Sequence, residues 1–122
     1  MSPELKQLWL NALKSGRYRH IRYRLFSKLN TTDSDHPKCA CAIGVLLLEL
    51  EAHPDLCPRK TPIVIDKSHD AVVWNNLPYH RFPPKEVLID IGLAPVLASN
   101  ASLNNDSADS YQYAIEYIEE KL

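Results

Sequence analysis

Glycine is scarce in this chain. Only Gly16, Gly44 and Gly92 occur among 122 residues, and they lie far apart. No glycine-rich phosphate loop of a familiar kind can be assembled from them. Long apolar runs are also missing. The longest, Ala42 to Leu48, falls far below the roughly 20 residues a spanning helix needs. No N-terminal stretch has the basic-then-apolar form of a secretory signal, so the cytoplasm is the expected compartment, with no membrane partner. Cysteine is sparse and odd in number: Cys39, Cys41 and Cys57. A domain of this size buries roughly 65–70% of its extended-chain surface and needs no staple, so free thiols in a reducing compartment are expected. Net charge is nearly absent, at −1. That balance, with no helix-turn-helix signature, argues against a dedicated DNA reader.

The charge that is present is unevenly placed. Lys14, Arg17, Arg19, Arg22, Arg24 and Lys28 form a stretch without an acid, and Asp106 to Glu120 holds five acids and no base. A neutral total therefore hides a basic stripe and an acidic end. The polarity could steer the chain onto another protein, or pair the stripe of one copy with the acidic end of another in a homo-oligomer.

Element signals point to one α+β domain over residues 1–122. About four helices, one of them central and buried, accompany a small antiparallel sheet or hairpin. Ser2-Pro3-Glu4 starts a helix whose apolar face is Leu5, Leu8, Trp9, Ala12 and Leu13, and Gly16 ends it. Residues 39–51 form the central helix, apolar on nearly every side. Gly44 within it costs about 1 kcal/mol against alanine, which implies a close neighbour. His53-Pro54 closes that helix. Pro62 to Ile65 and Ala71 to Trp74 read as a hairpin, followed by a break at Asn75 to Pro78. A short proline-led helix ends at Gly92. Residues 98–107 read as a small-residue loop, and Asp109 or Ser110 caps a last helix carrying Tyr111, Ala114, Ile115 and Ile118. Residues 30–38 read as a loop.

Residues 19–26 suit either a strand, through alternating Ile21, Tyr23 and Leu25, or a helix through Tyr18, Ile21, Leu25 and Leu29; the strand is preferred. As a strand it would place Tyr18, His20, Arg22 and Arg24 on one face. Arginine supplies forked donors for phosphate oxygens, and tyrosine supplies a face for a nucleobase. The plainer arrangement has the arginines in water and the tyrosines in the core.

Cys39-Ala40-Cys41 at a helix start would favour thiolate, with His36, His69 or His80 as a base for nucleophilic catalysis. The plainer role is a small buried residue heading the helix. Cys-x-Cys is not the usual zinc spacing, and the histidines do not pair for a metal, so no metal or cofactor is expected. Asn104-Asn105-Asp106 could hold a ligand hydroxyl as an acid holds a ribose, or could simply be turn and cap chemistry.

Leu8-Trp9-Leu10-Asn11-Ala12-Leu13-Lys14-Ser15-Gly16-Arg17-Tyr18, Cys41-Ala42-Ile43-Gly44-Val45-Leu46, the proline-led helix ending in Gly92-Leu93, and Leu103-Asn104-Asn105-Asp106 with its acidic final helix resemble a family of small phage and prophage proteins. The order is kept over essentially the whole chain. That family has no established function. The resemblance implies a phage origin and, by analogy, an accessory protein acting on host physiology or defence. His20 stands where the family tends to have glutamine, and Ala42 replaces its second cysteine, which weakens any two-thiol mechanism.

The leading expectation is a non-enzymatic binder of a phosphate-bearing small molecule such as a nucleotide signal. Its candidate contacts are Trp9, Tyr18, Arg19, His20, Arg22, Tyr23, Arg24, Asn105 and Asp106. The alternatives are an inhibitor of a host protein and, last, a cysteine-dependent enzyme.

Overall fold

The computed structural model describes residues 1–30, 37–57 and 62–122. His36, considered above as a base for a cysteine nucleophile, lies outside these residues, as does most of the expected 30–38 loop. Helix α1 (Pro3–Lys14) starts as its sequence dictates. The Ser2 hydroxyl accepts from the Leu5 amide at 3.2 Å, Pro3 opens the first turn and Glu4 follows. Leu5, Trp9, Leu10, Ala12 and Leu13 are buried. The chain leaves through Gly16 at φ 78°, a left-handed exit that only glycine adopts without strain.

Helix α2 (Ala42–Ala52) is buried continuously from Ala42 to Leu50 and forms the centre of the core. The Trp9 indole N–H donates to the Ala42 carbonyl at 2.8 Å, locking α1 to the head of α2. A Cβ on Gly44 would stand 2.2 Å from the Leu25 carbonyl oxygen. That carbonyl also accepts from the Cys41 amide at 3.0 Å. The missing side chain is thus what lets the preceding segment cross the first turn of α2.

The first sheet is mixed. Strand β1 (Tyr18–His20) pairs in parallel with β3 (Lys38–Ala40), and β2 (Phe26–Ser27) pairs antiparallel with β3 from the other side. The second sheet is an antiparallel meander of β4 (Val64–Asp66), β5 (Ala71–Trp74) and β6 (Leu77–Tyr79). Ile65 and Val72 face the core. Asn75 and Asn76, at φ 50° and 64°, turn β5 into β6. Two left-handed residues match the twist of a two-residue hairpin, so the expected break is a second hairpin turn.

Helix α3 (Lys85–Asp90) ends at Gly92. Helix α4 (Pro95–Asp106) replaces the expected loop at 98–107. Its buried face is Ala98, Ala101 and Asn105, a set too small and polar to register as an apolar period, yet right for close approach to α2 and to α5 (Gln112–Lys121). The described residues thus carry five α-helices where about four were expected, within an α+β fold. No helix among them is long and apolar enough to cross a membrane.

Two further expectations change. The 19–26 strand is interrupted: residues 21–25 leave the sheet, and Tyr23 adopts φ 66°. Alternation therefore does not carry Arg22 and Arg24 onto the face of Tyr18 and His20. The central helix begins at Ala42, with Cys39 in β3 and Cys41 as the cap, so Cys39 is not at a helix start.

Candidate functional site

The expected site residues sort into three environments. Trp9 is fully buried in the core. Tyr18 is half-buried beneath the Arg17 guanidinium, 5.6 Å from its ring centre. Its hydroxyl donates to Oε1 of Glu49 at 2.9 Å, and the same oxygen accepts from Arg17 at 2.8 Å. Burial, and then the Glu49 carboxylate, push the Tyr18 phenol well above its usual value. Glu49 lies in α2 at 1% exposure and reaches His53 at 3.4 Å with its other oxygen. This buried carboxylate was not singled out in the sequence. Its only signal was an acid inside an otherwise apolar run.

The second environment is a clamp. Asn105 is fully buried. Its Oδ1 accepts from the Ala42 amide at 3.0 Å, and its Nδ2 donates to the Ile21 carbonyl and to Asp106 Oδ1, each at 3.0 Å. Asp106 Oδ1 also accepts from the Tyr23 amide at 3.1 Å. His20 lies 2.8 Å from the Asn105 carbonyl through Nε2. A carbonyl only accepts, so that nitrogen carries the proton. The His20 ring meets Tyr111 edge-on at 5.1 Å. Arg22 donates to the Ala108 carbonyl at 3.0 Å and pairs with Asp109. The basic segment and the acidic end are therefore stitched together within one molecule. Asn105 and Asp106 act on the backbone of residues 21–23.

The third environment is the surface this clamp presents. Tyr23 is 68% exposed, on a backbone conformation that bulky residues rarely adopt. Arg24 beside it is exposed, as is Arg19 on β1. Of the six bases between Lys14 and Lys28, Lys14 pairs with Glu119, Arg17 with Glu49 and Arg22 with Asp109. Arg19, Arg24 and Lys28 have no ion pair among the described residues. The Leu25 amide donates to the His80 carbonyl at 2.8 Å, and the Leu29 amide to Asp70 Oδ1 at 2.9 Å. These bonds lay residues 24–29 along the second sheet, so Arg24 neighbours His80 and the exposed Arg81. Arg81 also lacks an ion pair among the described residues. Sequence reasoning did not select it, because nothing in the pattern brings residue 81 to residue 24.

A shallow groove of about 350 Å³ lies between the end of α1, β1 and the start of α5, walled by Tyr18, His20 and Tyr111. Its two charged residues, Lys14 and Asp109, are each already paired.

Neither thiol of Cys39-Ala40-Cys41 is presented to solvent. The Cys41 thiol is buried, caps α2 by accepting from the Gly44 amide at 3.4 Å, and is pushed up to about 11 by that burial. Such a thiol is overwhelmingly protonated near neutrality. Cys39 is also buried. No group of three or more metal-ligating side chains is present among the described residues.

No family model, no curated protein and no solved structure matches this chain.

Proposed function

We propose that this chain is a non-enzymatic binder of a phosphate-bearing small molecule of the nucleotide class, gripped at the loop of Tyr23 and Arg24. One observation carries the reading. A bulky aromatic is held outward in a left-handed conformation, beside Arg24, which has no ion pair among the described residues, by side chains distant in sequence. Backbone strain of this kind costs roughly 1–3 kcal/mol and collects at working sites. Tyrosine offers a stacking face and arginine a forked phosphate donor. In this reading Arg19, Tyr23 and Arg24 contact the ligand, while His20, Arg22, Asn105 and Asp106 position the loop. Tyr18 and Trp9 hold neighbouring parts of the fold, through Glu49 and the Ala42 carbonyl.

The resemblance to small phage and prophage proteins supports a role in an infected host cytoplasm, as an accessory protein acting on host physiology or defence through a scavenged nucleotide signal. Calorimetry against cyclic and linear nucleotides tests the reading. Wild type should bind at least one of them, and Tyr23→Ala with Arg24→Glu should weaken that binding at least tenfold. Silence across the panel, with no co-purified ligand, overturns it.

A second reading is a protein–protein inhibitor. It is favoured by the exposure of Tyr23 and Arg24, since exposed tyrosine and arginine are typical interface anchors. Retention of a host protein by wild type and its loss in Arg22→Glu plus Arg24→Glu, with no small ligand needed, would select it.

A further inference from the structure

The second sheet turns one face away from the core. By register, Val64, Val73 and Pro78 align across its three strands, and Asp66 and His80 lie on the same face in the next row. Val64 is 51% exposed, and Pro78 and His80 are exposed. A concavity of about 420 Å³ opens on this face, lined by Asp66, His69, Val73, Asn76, Pro78 and His80. Its volume falls within the range of small-molecule sites.

The two ends differ in chemistry. At one, Asp66 Oδ2 accepts from Nδ1 of His69 at 2.7 Å, and Asp66 Oδ1 accepts from the Ser68 amide at 3.0 Å. Nδ1 must therefore carry the proton, and Nε2 of His69 remains for another partner. At the other, His80 lines the concavity, and its carbonyl accepts from the Leu25 amide, so Arg24 and Arg81 stand one residue beyond the lining. Two strand spacings separate these ends, about 10 Å. Val73 and Pro78 supply an apolar floor between them, and Asn76 supplies an amide at its rim. A carboxylate at one end repels phosphate and accepts from amino or hydroxyl groups. Arginines and an imidazole at the other attract phosphate.

We infer that this concavity holds the ring end of a mononucleotide, with its base against Val73 and Pro78 and its phosphate at His80, Arg81 and Arg24. The inference rests on the proposed nucleotide reading and extends the site from the loop onto the second sheet. It adds His69, Val73, Asn76, Pro78, His80 and Arg81 to the contacts. Asp66 and His69 set a preference for bases or sugars that donate hydrogen bonds.

Titrations with AMP, GMP, CMP and UMP, and with inorganic pyrophosphate, test it. At least one mononucleotide should shift the ring resonances of His69 and His80. Its affinity should fall at least tenfold in Pro78→Glu and in His69→Ala, two exposed positions whose replacement leaves the core intact. Pyrophosphate binding should fall in Arg24→Glu plus Arg81→Glu and stay within twofold of wild type in His69→Ala. If a nucleotide binds, needs Arg24, and is indifferent to both Pro78→Glu and His69→Ala, the concavity is not its seat and only the loop reading stands. If no nucleotide binds, both fail. An oligonucleotide that binds at least tenfold more tightly than every mononucleotide overturns the inference in favour of a nucleic-acid ligand.

Discussion

Replacing Asn105 with alanine removes the hub that joins α4, the head of α2 and the 21–25 loop. The Ala42 amide loses its acceptor and the Ile21 carbonyl loses its donor. Asn105 is wholly buried, so water does not replace these partners without rearrangement. A buried polar group left unpaired costs about 1–3 kcal/mol. With two such groups orphaned, the expected loss is about 2–6 kcal/mol. For a domain of this size that lowers Tm by roughly 8–24 °C. Thermal unfolding followed by circular dichroism gives the first number. Hydrogen exchange at the Tyr23 amide gives the second, because Asp106 should lose its grip on that amide once Asn105 no longer orients it. Exchange there should rise more than at the Leu46 or Leu47 amides in the core. A loss below about 0.5 kcal/mol, typical of an unremarkable surface change, or unchanged exchange at Tyr23, would refute the clamp.

Three other outcomes follow from the packing and the titrating groups. Gly44→Ala should gain about 1 kcal/mol of helix propensity and lose more to the Leu25 carbonyl it strikes. Overpacking of this kind costs about 1–3 kcal/mol or more, so denaturant unfolding should show a net loss, and a stabilised variant would contradict the close crossing. Cys41 should react with iodoacetamide at about pH 8 at least about 100-fold more slowly than a free thiol, since burial both hides it and raises its pKa; fast alkylation read by mass spectrometry would reopen the thiol chemistry. The Asp66 carboxyl is held below its ordinary 3.8, first by the His69 hydrogen bond. Its contribution to stability is therefore complete above 3.8 and lost as pH falls through the lower folded-state value. His69→Ala should move the Asp66 midpoint upward toward 3.8 in an NMR titration, and an unmoved midpoint would remove His69 as the cause.

Much of the fold was legible where the sequence carries its own punctuation. Ser2-Pro3-Glu4 and Gly16 bracket α1, the apolar run names α2, and Gly44 announces the chain that crosses it. Helix α4 was not legible, because Ala98, Ala101 and Asn105 bury a face with almost no apolar signal. The Asn75-Asn76 turn was readable in principle, since two residues that tolerate left-handed backbone sit between β-rich runs. The candidate site was legible only as residue types. Alternation across residues 19–26 predicted one shared face, but Asp106 holds the Tyr23 amide from 83 positions away, and tertiary bonds overrode the local pattern. Arg81 and His80 come beside Arg24 through a single backbone bond, from the Leu25 amide to the His80 carbonyl, which no local spacing encodes.

The clamped Tyr23–Arg24 loop is where we propose that the chain holds its ligand. Native mass spectrometry of gently purified wild type and of Tyr23→Ala, Arg24→Glu tests it most directly. Wild type should retain an adduct with the mass of a nucleotide, and the double variant, folded to the same melting profile, should be bare. An adduct of equal mass and occupancy on both proteins would contradict it.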